Sequence, residues 1–362
     1  MQKEIKALVV DDSAVTRTVL IQLLDSEADI RVIGAVDDGQ AAIDFLNQGP
    51  RPDIVVMDIH MPRLDGFEAT RLIMETRPLP IVICTATADP RELAIAFRSL
   101  EAGALACVEK PVALGPDFEE RRRNLLQTVR LMSEIRVVRR WNRSREPSQL
   151  QTWSNAAKPR SSGGPNIKLI GIGASTGGPP VLQTILSSLP RSFPVPLIIV
   201  QHIARGFLGG MVDWLNQTAA LRVHIAVQGS PALPGHAYIA PDDFHLAVDA
   251  QGCVALARSE CENGLRPAVS YLFRSLASIY GENAIGVLLT GMGTDGAVEL
   301  KQMRDGGAYT IAQDSASSAV HGMPGHAIKL GGAIQVLPAD KIAGALISQV
   351  ERGRQSAGEL QR

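Results

Sequence analysis

The chain has 362 residues, of which 45% are hydrophobic, and its 36 basic and 37 acidic side chains give a formal net charge of −1. This length predicts two or three domains, and the composition excludes an intrinsically disordered chain because it offers enough apolar material for ordinary cores. No apolar run reaches the roughly 18 residues of a transmembrane helix, and charged side chains interrupt the first 15 residues, so we expect a cytoplasmic protein without direct membrane insertion.

The small net charge conceals an uneven distribution along the chain. Residues 1–127 carry 14 basic and 21 acidic side chains, residues 128–168 carry nine and two, and residues 169–362 carry 13 and 14. The basic middle segment also contains prolines and the run Ser161-Ser162-Gly163-Gly164, which is typical of a linker. We predict two domains joined by a solvated basic linker. Nucleic-acid binding would need a wider basic surface with interleaved aromatics.

The first domain alternates short strands with helices. Five apolar runs rich in β-branched residues predict strands at Ala7–Val10, Val32–Val36, Ile54–Met57, Ile81–Cys84 and Leu105–Val108. The segments between them have the apolar spacing of amphipathic helices. Five β/α repeats predict a doubly wound parallel α/β sheet, in which functional groups gather at the carboxyl ends of the strands.

Charged and hydroxyl side chains follow these predicted strands. Asp11 and Asp12 come after the first strand and Asp58 after the third. Thr85 ends the fourth strand, and Lys110 follows the fifth. Each of these residues alone is also compatible with an ordinary turn or a solvated surface. Three converging carboxylates, however, repel one another unless a hard cation such as Mg²⁺ lies among them, and their joint placement suits a phosphoryl group.

The proposed chemistry at this edge is phosphoryl transfer to a carboxylate. In-line attack by Asp58 on a phosphodonor would form an acyl phosphate. Mg²⁺ and the ammonium of Lys110 would balance the added negative charge, and the hydroxyl of Thr85 would bind a phosphoryl oxygen.

The first domain resembles the receiver domain of two-component response regulators. The resemblance is carried by Asp11-Asp12, Met57-Asp58-Ile59-His60-Met61-Pro62-Arg63-Leu64-Asp65-Gly66, Thr85-Ala86 and Lys110-Pro111. It implies Mg²⁺ held by Asp11, Asp12 and Asp58, with a sensor histidine kinase as phosphodonor. Receivers usually carry Tyr or Phe three residues before the lysine. This chain has Cys107 there, which puts switching through an aromatic ring in doubt.

The second domain begins with a strand, a tight turn and a helix, over Lys168–Pro180. Gly173-x-Ser175-x-Gly177 has the spacing of a nucleophile elbow, which exposes a serine hydroxyl on a sharp turn. A simple glycine-rich turn remains the alternative at this point. A dinucleotide fingerprint is disfavoured because the third glycine comes one residue late, and a P-loop lacks its Gly-Lys-Ser/Thr.

Two later strand ends supply the groups that a serine nucleophile needs. The strand Leu197–Val200 is followed by Gln201-His202, and His202 could accept the serine proton and return it to the leaving group. The strand 284–290 is followed by a glycine-rich loop that delivers Asp295, which could orient the imidazole. The chain order Ser, His, Asp differs from that of α/β-hydrolases, so we do not assign that fold family.

The second domain resembles the catalytic domain of chemotaxis protein-glutamate methylesterases, the CheB-type response regulators. The matching segments are Gln201-His202-Ile203, Asn263-Gly264-Leu265-Arg266-Pro267, Gly291-Met292-Gly293-Thr294-Asp295-Gly296, Ile311-Ala312-Gln313-Asp314 and Gly322-Met323-Pro324. The resemblance implies Ser175 as nucleophile, His202 as general base and acid, and Asp295 as the residue that holds the imidazole. It also implies that the backbone N–H groups of Thr176 and Met292 bind the oxyanion.

The same resemblance sets the expected activity and organisation. The substrate would be a γ-glutamyl methyl ester on a chemoreceptor, with deamidation of receptor glutamines as a further activity, and the esterase would require no cofactor. Arg266 is a candidate contact for the acidic receptor surface, against ordinary surface pairing. We predict a receiver domain over residues 1–125, a basic linker over 126–166, and a catalytic α/β domain with an added β-hairpin over 167–355.

The two-domain organisation suggests how the enzyme is regulated, and two other functions remain as alternatives. Our hypothesis is that the unphosphorylated receiver covers the Ser175 cleft and that phosphorylation of Asp58 weakens this packing. A phosphorylation-controlled scaffold with a degenerate hydrolase domain is one rival, and a DNA-binding output is another, although the second domain is nearly neutral.

Several other residues have an ordinary interpretation. His236 and His245 flank a predicted hairpin rather than a metal site, and His321 and His326 are expected in a loop near the cleft. The four cysteines form no C-x-x-C pair, which indicates neither a disulfide framework nor a zinc knuckle.

Overall fold

A computed structural model describes residues 4–85, 90–111, 118–135, 137 and 165–359, with the side chains of 90–95 and 355–359 left aside. Most of the predicted basic linker, including the Ser-Ser-Gly-Gly run, lies outside these residues, as does Ala86 of the Thr85-Ala86 motif. Within the described part of the chain, no helix is long and apolar enough to cross a membrane.

The N-terminal domain is a five-stranded parallel sheet of order β2-β1-β3-β4-β5 with helices between successive strands. Its elements are β1 (Ile5–Val10), α1 (Ala14–Asp25), β2 (Ile30–Val36), α2 (Gly39–Gln48), β3 (Ile54–Met57), α3 (Gly66–Thr76), β4 (Ile81–Thr85), α4 (Pro90–Ala102), β5 (Ala106–Glu109) and α5 (Phe118–Ser133). The predicted doubly wound fold is confirmed. The order of the strands places β1, β3, β4 and β5 side by side at the centre and one edge, so the residues that follow them share one rim.

Side-chain caps set where three of these helices begin. Ser13, Asp38 and Asp65 each precede a helix and accept a hydrogen bond from a backbone N–H of its first turn. These groups would otherwise lack a partner, so short polar residues after a strand end favour a helix start at these positions. Helix α5 continues past residue 125, where the sequence had predicted the end of the domain, and buries Val129 and Met132 against the receiver core.

The C-terminal domain is built on a seven-stranded parallel sheet of order β14-β13-β12-β6-β7-β9-β8. Its elements are β6 (Leu169–Ala174), α6 (Gly178–Ser188), β7 (Leu197–Gln201), α7 (Leu208–Thr218), β8 (Arg222–Ile225), β9 (His236–Ile239), β10 (His245–Val248), β11 (Val254–Ala257), α8 (Val269–Ile279), β12 (Ala284–Leu288), α9 (Ala297–Asp305), β13 (Tyr309–Gln313), α10 (Met323–Lys329), β14 (Gln335–Leu337) and α11 (Ala339–Glu359). Strand β6 lies between β12 and β7, where the chain switches from one side of the sheet to the other. Open α/β sheets bind ligands at such a point.

The added hairpin is present, but it is formed by different strands from those predicted. β10 pairs with β11 in an antiparallel two-stranded sheet, through the register His245 to Ala257. β9 instead joins the large sheet parallel to β7 and β8. His236 and His245 therefore lie in separate sheets. The short apolar run at 236–239 is compatible with either pairing, and only the packing of the whole sheet decides between them.

Helix α4 of the first domain packs against α6 and α7 of the second. Phe97 stacks on Trp214 with ring centroids 5.6 Å apart, and Trp214 donates its indole N–H to Glu101 at 3.0 Å. Gln183 of α6 also donates to the same carboxylate. Phe97 and Trp214 are both almost fully buried, so the two domains share an apolar contact.

Candidate active site and phosphoacceptor site

The carboxyl end of the first sheet gathers the acidic cluster that the sequence predicted. Carboxylate oxygens of Asp11, Asp12 and Asp58 lie within 4.8 Å of one another. Lys110 Nζ lies 2.6 Å from Asp11 Oδ2 and 2.8 Å from Asp58 Oδ2. Thr85 is buried at the end of β4, and its carbonyl accepts the backbone N–H of Lys110 at 2.8 Å. All five predicted side chains therefore lie at one rim.

Burial dominates the electrostatics of this cluster. Desolvation raises the pKa of Asp58 above its ordinary value, against the opposing hydrogen bond and charge of Lys110. Burial acts against the charged ammonium, but the hydrogen bonds to Asp11 and Asp58 hold the pKa of Lys110 above its usual range. The donor set is composed of carboxylate oxygens, one of them exposed and two buried, which fits a hard divalent cation that keeps part of its water shell.

The second sheet presents Ser175 on the turn between β6 and α6. Gly177 has a φ of 76° and ends this turn, so the residue after Thr176 adopts a left-handed conformation that favours glycine. Ser175 donates its backbone N–H to Thr290 at 3.0 Å and accepts that of Gly178 at 2.8 Å. Its hydroxyl makes no hydrogen bond within the described residues. The serine is therefore fixed through its main chain, with its side chain left for a partner.

The imidazole and the carboxylate that the sequence assigned to this serine lie together. His202 Nε2 is 3.0 Å from Asp295 Oδ2, and the main chain of His202 bonds to Ala174, the residue before Ser175. This contact is close without being a well-aligned hydrogen bond, because Nε2 is buried and has no hydrogen-bond partner within the described residues. Ser175, His202 and Asp295 follow the neighbouring strands β6, β7 and β12.

Asp295 is held by the start of helix α8. Its Oδ2 accepts the N–H of Val269 at 2.7 Å, and its Oδ1 accepts both the N–H and the hydroxyl of Ser270, at 3.0 and 2.5 Å. Ala268, which precedes α8, provides no side-chain cap, so Asp295 caps this helix from another loop. Burial opposes ionisation, but the nearby imidazole of His202 and the hydrogen bonds from Ser270 and Val269 hold the pKa of Asp295 below its usual value.

Two backbone N–H groups near Ser175 are candidates for the oxyanion site. The N–H groups of Thr176 and Met292 donate to no acceptor in the part of the chain that the structure describes. Gly291 precedes Met292, and a Cβ built on it would lie 2.7 Å from Ser175 Cβ. Only glycine therefore lets the Met292 loop approach Ser175 this closely. The sequence indicated a special loop there through its high glycine content but did not identify this contact.

Arg266 lies on the loop before α8, two residues from the cap of that helix. It donates from Nη1 to the carbonyl of Ser259 at 2.7 Å, and its Nη2 lies 3.7 Å from Asp243. Its side chain is 20% exposed. The guanidinium is thus held by the protein, its Nε is buried without a partner in the described residues, and the partial exposure of the side chain is compatible with both interpretations of this residue.

Three buried polar residues around the site had no assigned role in the sequence analysis. Gln201 ends β7, Ser270 lies at the start of α8, and Thr290 follows β12; each is at most 3% exposed. Thr290 Oγ1 lies 3.0 Å from the carbonyl oxygen of Thr176 and accepts the N–H of Val320 at 2.9 Å. Their polar character at strand ends and at a helix start was visible in the sequence, but their partners come from distant segments.

Comparisons with known proteins cover almost the whole chain. The family model described as CheB methylesterase matches residues 170–346, and the response regulator receiver domain model matches residues 7–116. A protein-glutamate methylesterase/protein-glutamine glutaminase of Nitrosospira multiformis is 50% identical over 98% of this chain and 99% of its own. One from Geobacter metallireducens is 49% identical over 95% and 98%. The crystal structure of the Thermotoga maritima CheB methylesterase catalytic domain is 41% identical, with a TM-score of 0.49 over 50% of this chain and 98% of that one.

Proposed function

Because the chain belongs to the CheB family of methylesterases with a response regulator receiver domain, we propose that it is a phosphorylation-regulated hydrolase that removes methyl groups from glutamyl esters of chemoreceptors. The observation that supports this most strongly is the placement of Ser175, His202 and Asp295 at adjacent strand ends, with His202 already in contact with Asp295. We propose that the enzyme acts in the cytoplasm, where the methylated part of a chemoreceptor would lie.

The proposed reaction begins with proton transfer from Ser175. The imidazole of His202 accepts the hydroxyl proton while Ser175 Oγ attacks the ester carbonyl. Asp295 stabilises the imidazolium that forms. The N–H groups of Thr176 and Met292 bind the oxyanion of the tetrahedral intermediate, where such donors are worth roughly 3 to 4 kcal/mol each.

Collapse of this intermediate releases the alcohol and leaves an acyl-enzyme. His202 donates its proton to the leaving methoxide, so methanol departs and Ser175 holds the glutamyl group as an ester. Water then attacks this ester with His202 again as base, and the receptor side chain leaves as glutamate. A receptor glutamine would follow the same route with ammonia as the leaving group, which supports glutaminase activity as a second reaction of this site.

The proposed receiver chemistry uses the cluster at the first sheet. A divalent cation, which we propose to be Mg²⁺, would be held by Asp11, Asp12 and Asp58 and would offset negative charge on the phosphoryl group. Asp58 attacks the phosphodonor, a sensor histidine kinase or a small acyl phosphate. Lys110 already touches Asp58 and neutralises part of the added charge, and Thr85 lies at the adjoining strand end to bind a phosphoryl oxygen.

Contacts between the domains support control of the esterase by the receiver. In helix α5, Gln127 donates to Met292 Sδ at 3.3 Å, and Val320 packs against the receiver core. Val320 and Met292 flank Gly291, which lies against Ser175. The unphosphorylated receiver thus reaches the rim of the proposed active site. We propose that phosphorylation of Asp58 weakens these contacts and opens the site to the receptor.

A methanol-release assay tests chemistry and control together. The full chain is incubated with membranes containing methylated chemoreceptors, with and without a small phosphodonor and Mg²⁺. We expect methanol from at least one receptor and a faster release with the phosphodonor. Release of ammonia from receptors carrying glutamine tests the second reaction. If the phosphorylated chain releases neither methanol nor ammonia from any of the receptors assayed, the protein acts instead as a phosphorylation-controlled scaffold with a degenerate hydrolase domain.

A further inference from the structure

Gln201 ties the main chains of the proposed nucleophile and base to each other. It is the last residue of β7, directly before His202, and is 3% exposed. Its side-chain Nε2 donates to the carbonyl oxygen of Ser175 at 2.8 Å and to that of His202 at 2.8 Å. One amide group therefore bridges the two turns on which the reacting side chains stand.

The orientation of this amide follows from its partners. With the amide reversed, its oxygen would face two carbonyl oxygens at hydrogen-bond distance, and acceptors repel one another. Nε2 has two protons, one for each carbonyl, so the observed orientation satisfies both. Gln201 Oε1, in contrast, is buried and has no hydrogen-bond partner within the described residues.

This unpartnered oxygen lies against the start of helix α6. A Cβ built on Gly178 would be 2.2 Å from Oε1, so glycine at the helix start makes room for the amide. The next two residues are prolines, which have no N–H to offer. A buried acceptor without a partner costs free energy. An apolar side chain of similar size would avoid this cost, but it could not donate hydrogen bonds to the carbonyls of Ser175 and His202. We therefore look to these two bonds for the role of Gln201.

We propose that Gln201 is a positioning residue of the esterase: it fixes the distance and orientation between Ser175 and His202 through their main-chain carbonyls. This matters because the hydroxyl of Ser175 makes no bond of its own, so its approach to His202 depends on where the two turns are held. A displacement of about 1 Å in a reacting group can cost on the order of 100-fold in rate. The proposal rests on the function proposed above.

Gln201→Met tests the proposal, because methionine keeps the length and much of the volume while removing both donors. We expect kcat for methanol release by the full-length protein, assayed with the phosphodonor, to fall about 10- to 100-fold with KM within about twofold of the parent. The rate of labelling by a serine-directed fluorophosphonate should fall in the same proportion, since it requires the same activated hydroxyl but no receptor.

Thr310→Val is the matched control. Thr310 is fully buried at the amino end of β13, and its hydroxyl accepts the N–H of Ile334 at 3.1 Å, which also donates to the Thr310 carbonyl at 3.0 Å. The change therefore removes one side-chain hydrogen bond away from the site. We expect it to leave kcat and labelling unchanged per folded molecule. If Gln201→Met behaves like this control, with thermal stability reduced but both rates kept within about twofold, Gln201 is only structural and the proposal is overturned.

Gln201→Glu provides a second test that does not depend on the tolerance of the site for sulfur. An ionised carboxylate at position 201 has no proton to donate to the carbonyls of Ser175 and His202. A protonated carboxyl group can donate one hydrogen bond. Burial raises the pKa of a carboxylic acid, so lower pH favours the neutral form. We expect the labelling rate relative to the parent to rise from pH 8 to pH 6, and a ratio that stays flat would contradict the positioning role. Failure of every receptor to yield methanol would refute the proposed function while leaving the labelling comparison intact.

Discussion

The two sites of this chain lie at the same place in similar folds but are assembled in different ways. At the receiver rim, the ammonium of Lys110 contacts Asp11 and Asp58 directly, so opposite charges hold the cluster together. At the esterase rim, Ser175 is neutral and is held through its backbone, while the side chain of Asp295 contacts those of His202 and Ser270. A charged site can be positioned by mutual attraction, whereas a site with a neutral nucleophile depends on the surrounding main chain.

The strongest way to separate the two sites is Ser175→Ala. We expect methanol release to fall by roughly 10⁴-fold or more, because the variant lacks the proposed nucleophilic hydroxyl, while phosphorylation of Asp58 continues at the parental rate. Gas chromatography measures the loss of methanol release. A radiolabelled phosphodonor measures whether phosphorylation of Asp58 is retained. Residual methanol release within tenfold of the parent would show that Ser175 is not the nucleophile.

Removal of the receiver tests whether one site covers the other. Deletion of residues 1–165 should raise methanol release by the unphosphorylated protein about tenfold, within the usual range of coupling between two sites. The reason is that the contacts of Gln127 with Met292, and of the receiver core with Val320, are lost. The full-length protein with Asp58→Asn serves as the control that keeps the cover in place. A truncated enzyme no faster than this control would refute inhibition by the receiver.

Neutralising Asp58 and neutralising Asp295 should change the melting temperature in opposite directions. Burial raises the pKa of Asp58, so its ionised form is disfavoured in the folded protein, and Asp58→Asn should raise the melting temperature at pH 7 by a few degrees. Hydrogen bonds lower the pKa of Asp295, so its ionised form stabilises the fold above the ordinary value of 3.8, and Asp295→Asn should lower the melting temperature.

The difference in melting temperature between each variant and the parent should depend on pH. The stabilisation from Asp295 is lost as pH falls through its lowered folded pKa, so the difference between Asp295→Asn and the parent should vanish in that acidic range. The advantage of Asp58→Asn should vanish as pH falls below 3.8, where Asp58 is protonated in both states. Scanning calorimetry in the presence of a chelator checks both, since bound cation would mask the effect at Asp58. Shifts of the same sign at pH 7 would contradict the opposite environments of the two groups.

The smallest expected effect concerns Arg266. If its partly exposed side chain binds the acidic receptor surface, Arg266→Ala should raise KM for methylated receptor about two- to threefold with kcat unchanged, because the lost contact acts equally on substrate and transition state. Labelling with fluorophosphonate should stay at the parental rate. An unchanged KM would assign Arg266 to its contacts with Ser259 and Asp243 alone.

The sequence predicted the two sheets and the side chains at their rims because parallel strands bring their carboxyl ends to one edge. It missed the groups whose roles depend on packing between distant segments. Ser270 and Gln201 each bind a partner far along the chain, and no spacing rule connects Ser270 with Asp295 or Gln201 with Ser175. The pairing of β9 was also missed, because a short apolar run is compatible with a hairpin and with a parallel sheet.

The capping of helix α8 by Asp295 bears on how an inactive protein should be made for capturing the receptor. An inactive variant at Asp295 also removes the acceptor for the N–H groups of Val269 and Ser270. Such a variant would destabilise the start of helix α8, which follows the Arg266 loop, and would therefore alter the surface that is proposed to bind the receptor. A stable substrate trap is better made at Ser175, whose hydroxyl makes no hydrogen bond within the described part of the chain.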